Sequence, residues 1–409
     1  VSTRHFFQRH VWLKSLYKKR LHGLWGVYGS SFFLQLGMGL VSIFIPVYVY
    51  QLTQQISSVF IFFAFYSLVV MLMSPLTGWL VARFGLDTVA VGGALIRTLS
   101  LVVLILSGSN PNLLLLAAGL WGMCVPATWL PYHYTVIAEN DNGGRFGKEV
   151  AKLKIVEKVS GALAPFCGGA IAFFFGFPVL YLAGIIMVAI SALPLVFDQC
   201  NKKGMTYKWP VVFRGLVGGS DWLATVSFVG SSIETQVFTL LRPLFIFLSL
   251  ASLPSLGGIE SIALGISALV VLWAGQWVDK KGFSLMKIGV LANAMLLLLL
   301  PFLSSAWEFL LFGTVYLLVA SLIWTPFDAA TYQLAMRPHK LEFLVAREIA
   351  IHGGGAIFFV LLLLLTDGAL NWFLIAASGS IGLLLTLTLL KRVNHAPSEY
   401  RFKIHPTVA

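Results

Sequence analysis

Charge is scarce in this sequence. Only 11% of its 409 residues are charged, and 16 acidic residues face 28 lysines and arginines. A soluble domain would carry a charged fraction of about 25%. The shortage excludes a chain surrounded by water, and a 58% hydrophobic content is more than one core can hold. Strict apolar–polar alternation is also missing. Stretches such as Leu113–Leu116 and Leu361–Leu365 are apolar on every side, which excludes a spanning β-barrel and leaves α-helices. Cysteine is rare, and Cys124, Cys167 and Cys200 have neither paired nor metal-ligand spacing. That excludes a disulfide scaffold and a thiolate metal site, and the three read as small apolar residues. No Ser/His/Asp set, paired carboxylates or metal-binding pattern stands out, so no enzyme, cofactor or metal is expected. The triple glycine Gly353-Gly354-Gly355 lacks the following Lys-Ser/Thr of a phosphate loop.

What is present is a series of apolar runs of about 20 residues, the length that crosses a hydrocarbon layer. Twelve spans are expected, near 24–49, 56–81, 87–107, 112–137, 150–175, 178–198, 220–248, 255–278, 284–304, 308–335, 343–366 and 370–391. Alternate loops near 51–56, 108–111, 176–178, 249–254, 305–307 and 367–369 contain no Lys or Arg. The other side collects Arg83, Arg145, Lys148, Lys202, Lys203, Lys208, Lys280, Lys281, Arg337, Lys340, Lys391 and Arg392, among others. Positive-inside bias then places both termini in the cytoplasm of a multi-pass inner-membrane protein. The formal charge of +12 therefore belongs to loops hugging the bilayer, and no nucleic-acid partner is expected. The segment 1–23 is basic without one acidic residue and reads as a cytoplasmic tail before a start-transfer helix, not a secretory leader. Expected units are this tail, a bundle over 24–198, a cytoplasmic linker over 199–219, a second bundle over 220–391 and a cytoplasmic tail over 392–409.

The two bundles resemble each other. Phe44-Ile45-Pro46-Val47-Tyr48 is matched by Leu241-Arg242-Pro243-Leu244-Phe245 at an offset of 197 residues. Gly78-Trp79-Leu80-Val81-Ala82-Arg83-Phe84-Gly85 is matched by Gly275-Gln276-Trp277-Val278-Asp279-Lys280-Lys281-Gly282 at 197, and Trp129-Leu130-Pro131-Tyr132-His133 by Trp324-Thr325-Pro326-Phe327-Asp328 at 195. Three near-constant offsets at like places in each half imply a duplicated all-α membrane protein with parallel repeats.

With these residues the chain is similar to the major facilitator superfamily of secondary transporters, from first span to last, and to its bacterial multidrug-efflux-like members in particular. Gly275, Asp279, Lys280, Lys281 and Gly282 fit the family's loop signature between spans 8 and 9. The resemblance implies a loop latch holding the inward-closed arrangement. The first-half copy keeps Gly78, Arg83 and Gly85 but has Ala82 where the family has aspartate, so that latch is expected to be weaker. On span 5, Ser160, Ala164, Pro165, Gly168 and Gly169 are similar to the family's antiporter signature, with Ser160 and Ala164 where glycine is usual. The arginine that proton-driven exporters carry on span 4 is missing.

The family fold implies a central cavity between spans 1, 4, 7 and 10. Glu234 stands 13 residues past Asp221, roughly 20 Å along its helix. An ionisable side chain there costs roughly 2.5–3.5 kcal/mol unless paired or wet, so Glu234 is expected to face the cavity as a proton or cation site. Arg242, eight residues on, is expected to close the outer gate or to pair with a substrate anion. His133 and Asp328 are repeat-equivalent and are expected to form an inner gate or proton pair. Trp129, Tyr132, Trp324 and Phe327 are natural cavity walls, and Gln35 is a hydrogen-bonding group for the first span. Arg347 with Glu348 reads as a structural pair, and Arg97 as a structural residue that needs a partner.

The expected function is export of small amphipathic or hydrophobic molecules by proton antiport with alternating access. Expected partners are the lipid bilayer, protons and a small-molecule substrate, and nothing requires more than a monomer. The alternatives are a proton-coupled uptake symporter for a small polar metabolite or a lipid flippase; an intramembrane enzyme or a non-transporting scaffold is more remote.

Overall fold

The computed structural model describes residues 24–139, 146–197, 205–218, 221–281, 283–336, 339–366 and 371–394. Among the described residues eleven helices are long and apolar enough to cross a membrane. One of them belongs to a helical stretch, Phe146–Phe197, of 52 residues. A straight helix of that length would measure about 78 Å, more than twice the hydrocarbon core of about 30 Å. Gly176, at φ 82° and ψ 171°, breaks it into two, and the twelve expected spans result.

The spans are α1 (Leu24–Val41, through a 3-10 turn Ser42–Phe44 into Ile45–Thr53), α2 (Ile56–Phe84), α3 (Leu86–Ser107), α4 (Leu114–Glu139), α5 and α6 (146–175 and 177–197), α7 (Trp222–Leu250), α8 (Leu253–Lys281), α9 (Ser284–Leu297), α10 (Ala306–Ala335), α11 (Lys340–Leu365) and α12 (Trp372–Thr386, then Thr388–Asn394). A short helix, Trp209–Val217, lies in the linker. The molecule is an all-α membrane protein of two pseudo-symmetric six-helix bundles.

The repeat is legible in backbone detail. Pro46 and Pro243 have no N–H for the carbonyls of Ser42 and Thr239, so each helix departs from α geometry just before its proline. In α1 the departure is the 3-10 turn; in α7 it is a π-helical segment, Gln236–Leu241. Both helices end on a left-handed residue, Gln54 (φ 55°) and Ala251 (φ 50°), whose N–H groups bond Tyr50 O and Phe247 O. These caps again lie 197 residues apart.

Among the described residues the halves join most extensively at two helix pairs, α2 with α11 and α5 with α8. The small residues of α5 make the second crossing. A Cβ on Gly257 of α8 would lie 2.2 Å from Pro165 O, and one on Gly169 2.6 Å from Leu253 O. Gly168 meets Leu40 of α1 in the same way, and Ala164 fills the space over Gly39. The antiporter-like face on α5 is thus a packing face, holding α5 between α1 and α8. Ser160 donates to Val156 O at 2.7 Å within its own helix. Large apolar side chains such as Leu269, Phe174 and Leu364 are left exposed on the outside, which suits a lipid solvent.

The halves also touch at both ends. Opposite the basic loops, the last turns of α1 and α7 are in contact. At the basic-loop end Leu130, Val136 and Ile137 of α4 join Ala329, Tyr332 and Ala335 of α10 in one apolar cluster.

Candidate functional site

Among the described residues, interior polar groups form several clusters, three of which concern the predicted site; a further one joins Lys158 of α5 to Ser267 of α8 and Ser321 of α10 at 2.6 and 3.2 Å. The first lies within the second half. The Glu234 carboxylate accepts a short hydrogen bond from Tyr316 Oη of α10 and a longer one, 3.4 Å, from Thr235 Oγ1. Phe238 lies flat on Tyr316, with ring centroids 4.0 Å apart. The Arg242 guanidinium covers the other face of Phe238 at 4.0 Å and holds both carboxylate oxygens of Glu260 (α8) at 2.6 Å. Arg242 and Glu260 are both buried. Arg242 therefore closes an ion pair with Glu260 inside its own half. Glu260 had escaped the sequence reading, because nothing in the spacing of two residues on neighbouring helices ties them together.

Glu234 is turned toward α10. Ser232 and Gln236 face Gly355 of α11, where an added Cβ would meet Gln236 Nε2 at 2.7 Å and the Ser232 and Ser67 hydroxyls at 3.1 Å. Residue 234 is two steps of about 100° from either neighbour, which turns its carboxyl away from the α2–α11 seam and toward α10. Its described partners are hydroxyls, and no cation touches it. Among the described residues, Glu234, Glu260 and Arg242 place two carboxyl groups beside one cation, and the cation's ion pair is with Glu260.

The second place is that seam. Glu348 of α11 is paired with Arg347 Nη1 at 2.7 Å and with His352 Nε2 at 3.6 Å. Across the seam Tyr66 of α2 meets His352 edge-on, with centroids 6.0 Å apart, and Trp121 of α4 at 5.8 Å. Several buried polar atoms here have no partner among the described residues: Ser67 Oγ, Ser232 Oγ, Arg347 Nε and His352 Nδ1. Each such group costs free energy unless something else satisfies it. Behind Tyr66, Arg97 of α3 donates to Thr128 Oγ1 at 3.1 Å.

The third place is the basic-loop end. Trp129 stacks on His133, with centroids 5.7 Å apart and planes 23° apart, and Tyr132 meets both rings edge-on. His133 Nδ1 shares a hydrogen bond of 2.7 Å with Tyr332 Oη of α10. Trp324, Asp328 and Tyr332 follow one another at four-residue spacing and so form one stripe of α10, opposite the Trp129/His133 stripe of α4. The structure brings His133 to Tyr332, one turn from Asp328 on the same stripe. Phe327 turns toward Trp324 and toward Phe228 of α7. Gln35 is half-buried on α1 and joins none of the three clusters.

The loop signatures divide. Gly275 is buried on α8; the side chains of Asp279, Lys280 and Lys281, and Gly282 itself, lie outside the described residues. In the first half, Gly85 makes the α2–α3 turn at φ 93°, which favours glycine. Arg83 rests over the Trp79 and Phe84 rings at 5.7 Å. Ala82, where the family has aspartate, packs in an apolar cluster with Leu86, Val89 and Leu341. The linker does the tying there. Tyr207 lies against Gly78, where a Cβ would be 2.8 Å from its ring, and donates to Pro75 O at 3.0 Å. Burial, with the Glu342 charge beside it, holds the Tyr207 phenol well above its usual range, so it remains a donor. Glu342 of α11 in turn accepts from Lys208 N at 3.0 Å.

Comparison with known proteins decides the family. The sequence matches the model of the Major Facilitator Superfamily over residues 27–339. The chain belongs to this superfamily. A Bacillus subtilis (strain 168) relative, the uncharacterized protein YqgE, is 22% identical over 338 residues, 78% of this chain and 77% of its own. Among solved superfamily-like folds, the human organic anion transporter MFSD10 (TETRAN) superposes with a TM-score of 0.66 at 12% identity, covering 89% of this chain and 98% of that one. A bacterial homologue of the iron transporter ferroportin, in its outward-facing state, superposes with a TM-score of 0.67 at 12% identity, covering 90% and 99%. At such identities the likeness is one of fold. The protein is a multi-pass membrane transporter of the superfamily type, and one such fold accommodates many cargoes.

Proposed function

We infer that the protein exports small amphipathic molecules by proton antiport, moving them through the α2–α11 seam by alternating access, with the basic loops and both termini in the cytoplasm. The observation that carries this reading is the placement of α7. One face of it presents Ser232 and Gln236 to the seam; the opposite face carries Glu234, a buried carboxyl group whose hydrogen-bond partners among the described residues are hydroxyls. A buried charge of this kind is relieved by taking up a proton. Protonation changes what Glu234 asks of Tyr316, and the π-helical segment beginning at Gln236 gives α7 a place to adjust. Such segments are common at functional sites. The cargo then meets hydroxyl groups and aromatic rings, as an amphipathic molecule requires.

Inverted membrane vesicles test the reading. When vesicles containing the protein are acidified inside, they are expected to accumulate N-phenyl-1-naphthylamine, a neutral fluorescent lipophile. Collapse of the gradient should release it. Accumulation indifferent to the gradient would contradict proton antiport.

A further inference from the structure

Arg97 is a buried cation without an anion. It sits at the middle of α3, about 16 Å from either helix end at 1.5 Å per residue, and is 4% exposed. Its hydrogen bond goes to a neutral hydroxyl, Thr128 Oγ1, at 3.1 Å, and the Cys124 thiol is beside it. Its Nε has no partner, and among the described residues no carboxylate lies within ion-pair distance. A charged side chain at this depth is costly and persists where a partner or function holds it. Every other buried arginine of the described residues has its carboxylate: Arg242 has Glu260, Arg347 has Glu348 and Arg392 has Asp221.

The position of Arg97 gives the missing partner a route. Arg97 and Glu348 are both near enough to act on Tyr66, and the Tyr66 ring meets His352 of the seam edge-on, so Tyr66 links the surroundings of Arg97 to the seam. Gly122 of α4, where a Cβ would be 2.8 Å from Tyr66 O, holds the two helices close at this level. Taken with the seam's Arg347–Glu348 pair, Arg97 leaves the region with one positive charge in excess while the histidines are neutral. His352, whose ring meets Tyr66, has its Nδ1 unpartnered among the described residues, as has Arg347 Nε.

We propose that Arg97 is the residue that receives an acidic group of the transported molecule, so that the substrate class is an amphipathic organic anion. The inference rests on the transport reading above and names its cargo. In the bound state the acidic group replaces the missing counter-ion of Arg97, with the Tyr66 hydroxyl as a further donor, and the apolar body lies against Tyr66 and Trp121. A guanidinium suits this role, since it offers paired donors to a carboxylate or sulfonate and keeps its charge.

The test compares two fluorescent probes of similar size in the vesicle assay: 8-anilinonaphthalene-1-sulfonate, an anion, and N-phenyl-1-naphthylamine, its neutral analogue. Wild type is expected to accumulate the anion at least tenfold better at equal free concentration. In Arg97→Gln the anion-to-neutral ratio should fall at least tenfold, and Arg97→Lys should restore most of it, which a purely structural arginine would not do. A wild type that shows gradient-driven uptake of the neutral probe without preference for the anion overturns the inference, whether or not the variants fold, and leaves the transport reading standing. An Arg97→Gln protein that keeps the preference overturns it as well. Gradient-driven uptake of neither probe would remove the transport reading and this inference with it.

Discussion

Glu260→Ala is expected to destabilise the protein by about 3–5 kcal/mol, the usual cost of removing one partner from a buried ion pair. The guanidinium of Arg242 would keep its place between Phe238 and Gly313 with its charge uncompensated. Phe238 could not replace the lost carboxylate, since a cation over a ring contributes about 2 kcal/mol at best in a desolvated site. Arg242 Nη1 is already unpartnered, so the site has no spare acceptor to offer. The double variant Arg242→Met/Glu260→Met should recover most of the loss, because it removes both charges and keeps the volume. Thermal unfolding of the purified protein in detergent measures both. A Glu260→Ala protein within about 1 kcal/mol of wild type, the range of an exposed pair, would show that the pair is not held as the structure has it.

Glu234→Gln is expected to lower gradient-driven accumulation of N-phenyl-1-naphthylamine to less than a tenth of wild type and to flatten its pH dependence. The amide can still accept the Tyr316 hydrogen bond, so the fold should survive and its unfolding temperature should stay near that of wild type. What disappears is the ability to gain and lose a charge. Accumulation at the wild-type level with unchanged pH dependence would remove Glu234 from the coupling and point to the Glu348–His352 pair across α7.

These two effects mark the boundary of what could be read from the residues alone. The spans were legible because a helix that crosses lipid must be apolar on all sides for about 20 residues, and because basic residues collect on one side of the membrane. The duplication was legible in three short matches, and the backbone adds the paired prolines and the paired left-handed caps at Gln54 and Ala251. Facing residues were harder. The 100° step shows that Glu234 is turned opposite Ser232 and Gln236, but which of those faces meets α11 depends on packing that no periodicity encodes. For the same reason Glu260 and Tyr316 were invisible as partners, and so was Tyr332 as the partner of His133, while the repeat relation of His133 to Asp328 was legible. Arg97 read as a structural residue in need of a partner, and its lack of a carboxylate is a three-dimensional fact. The Ala82 departure was visible; that Tyr207 of the linker ties α2 at this point was not.

The central claim is that the α2–α11 seam, packed together in this structure, opens to each side of the membrane in turn. The direct measurement is labelling of Ser232→Cys by a membrane-impermeant maleimide in a protein whose three cysteines are replaced by serine. Labelling is expected from both faces of oriented vesicles, with the dominant face reversing when the proton gradient is reversed. Labelling from one face under every gradient, or from neither while transport proceeds, would contradict the account.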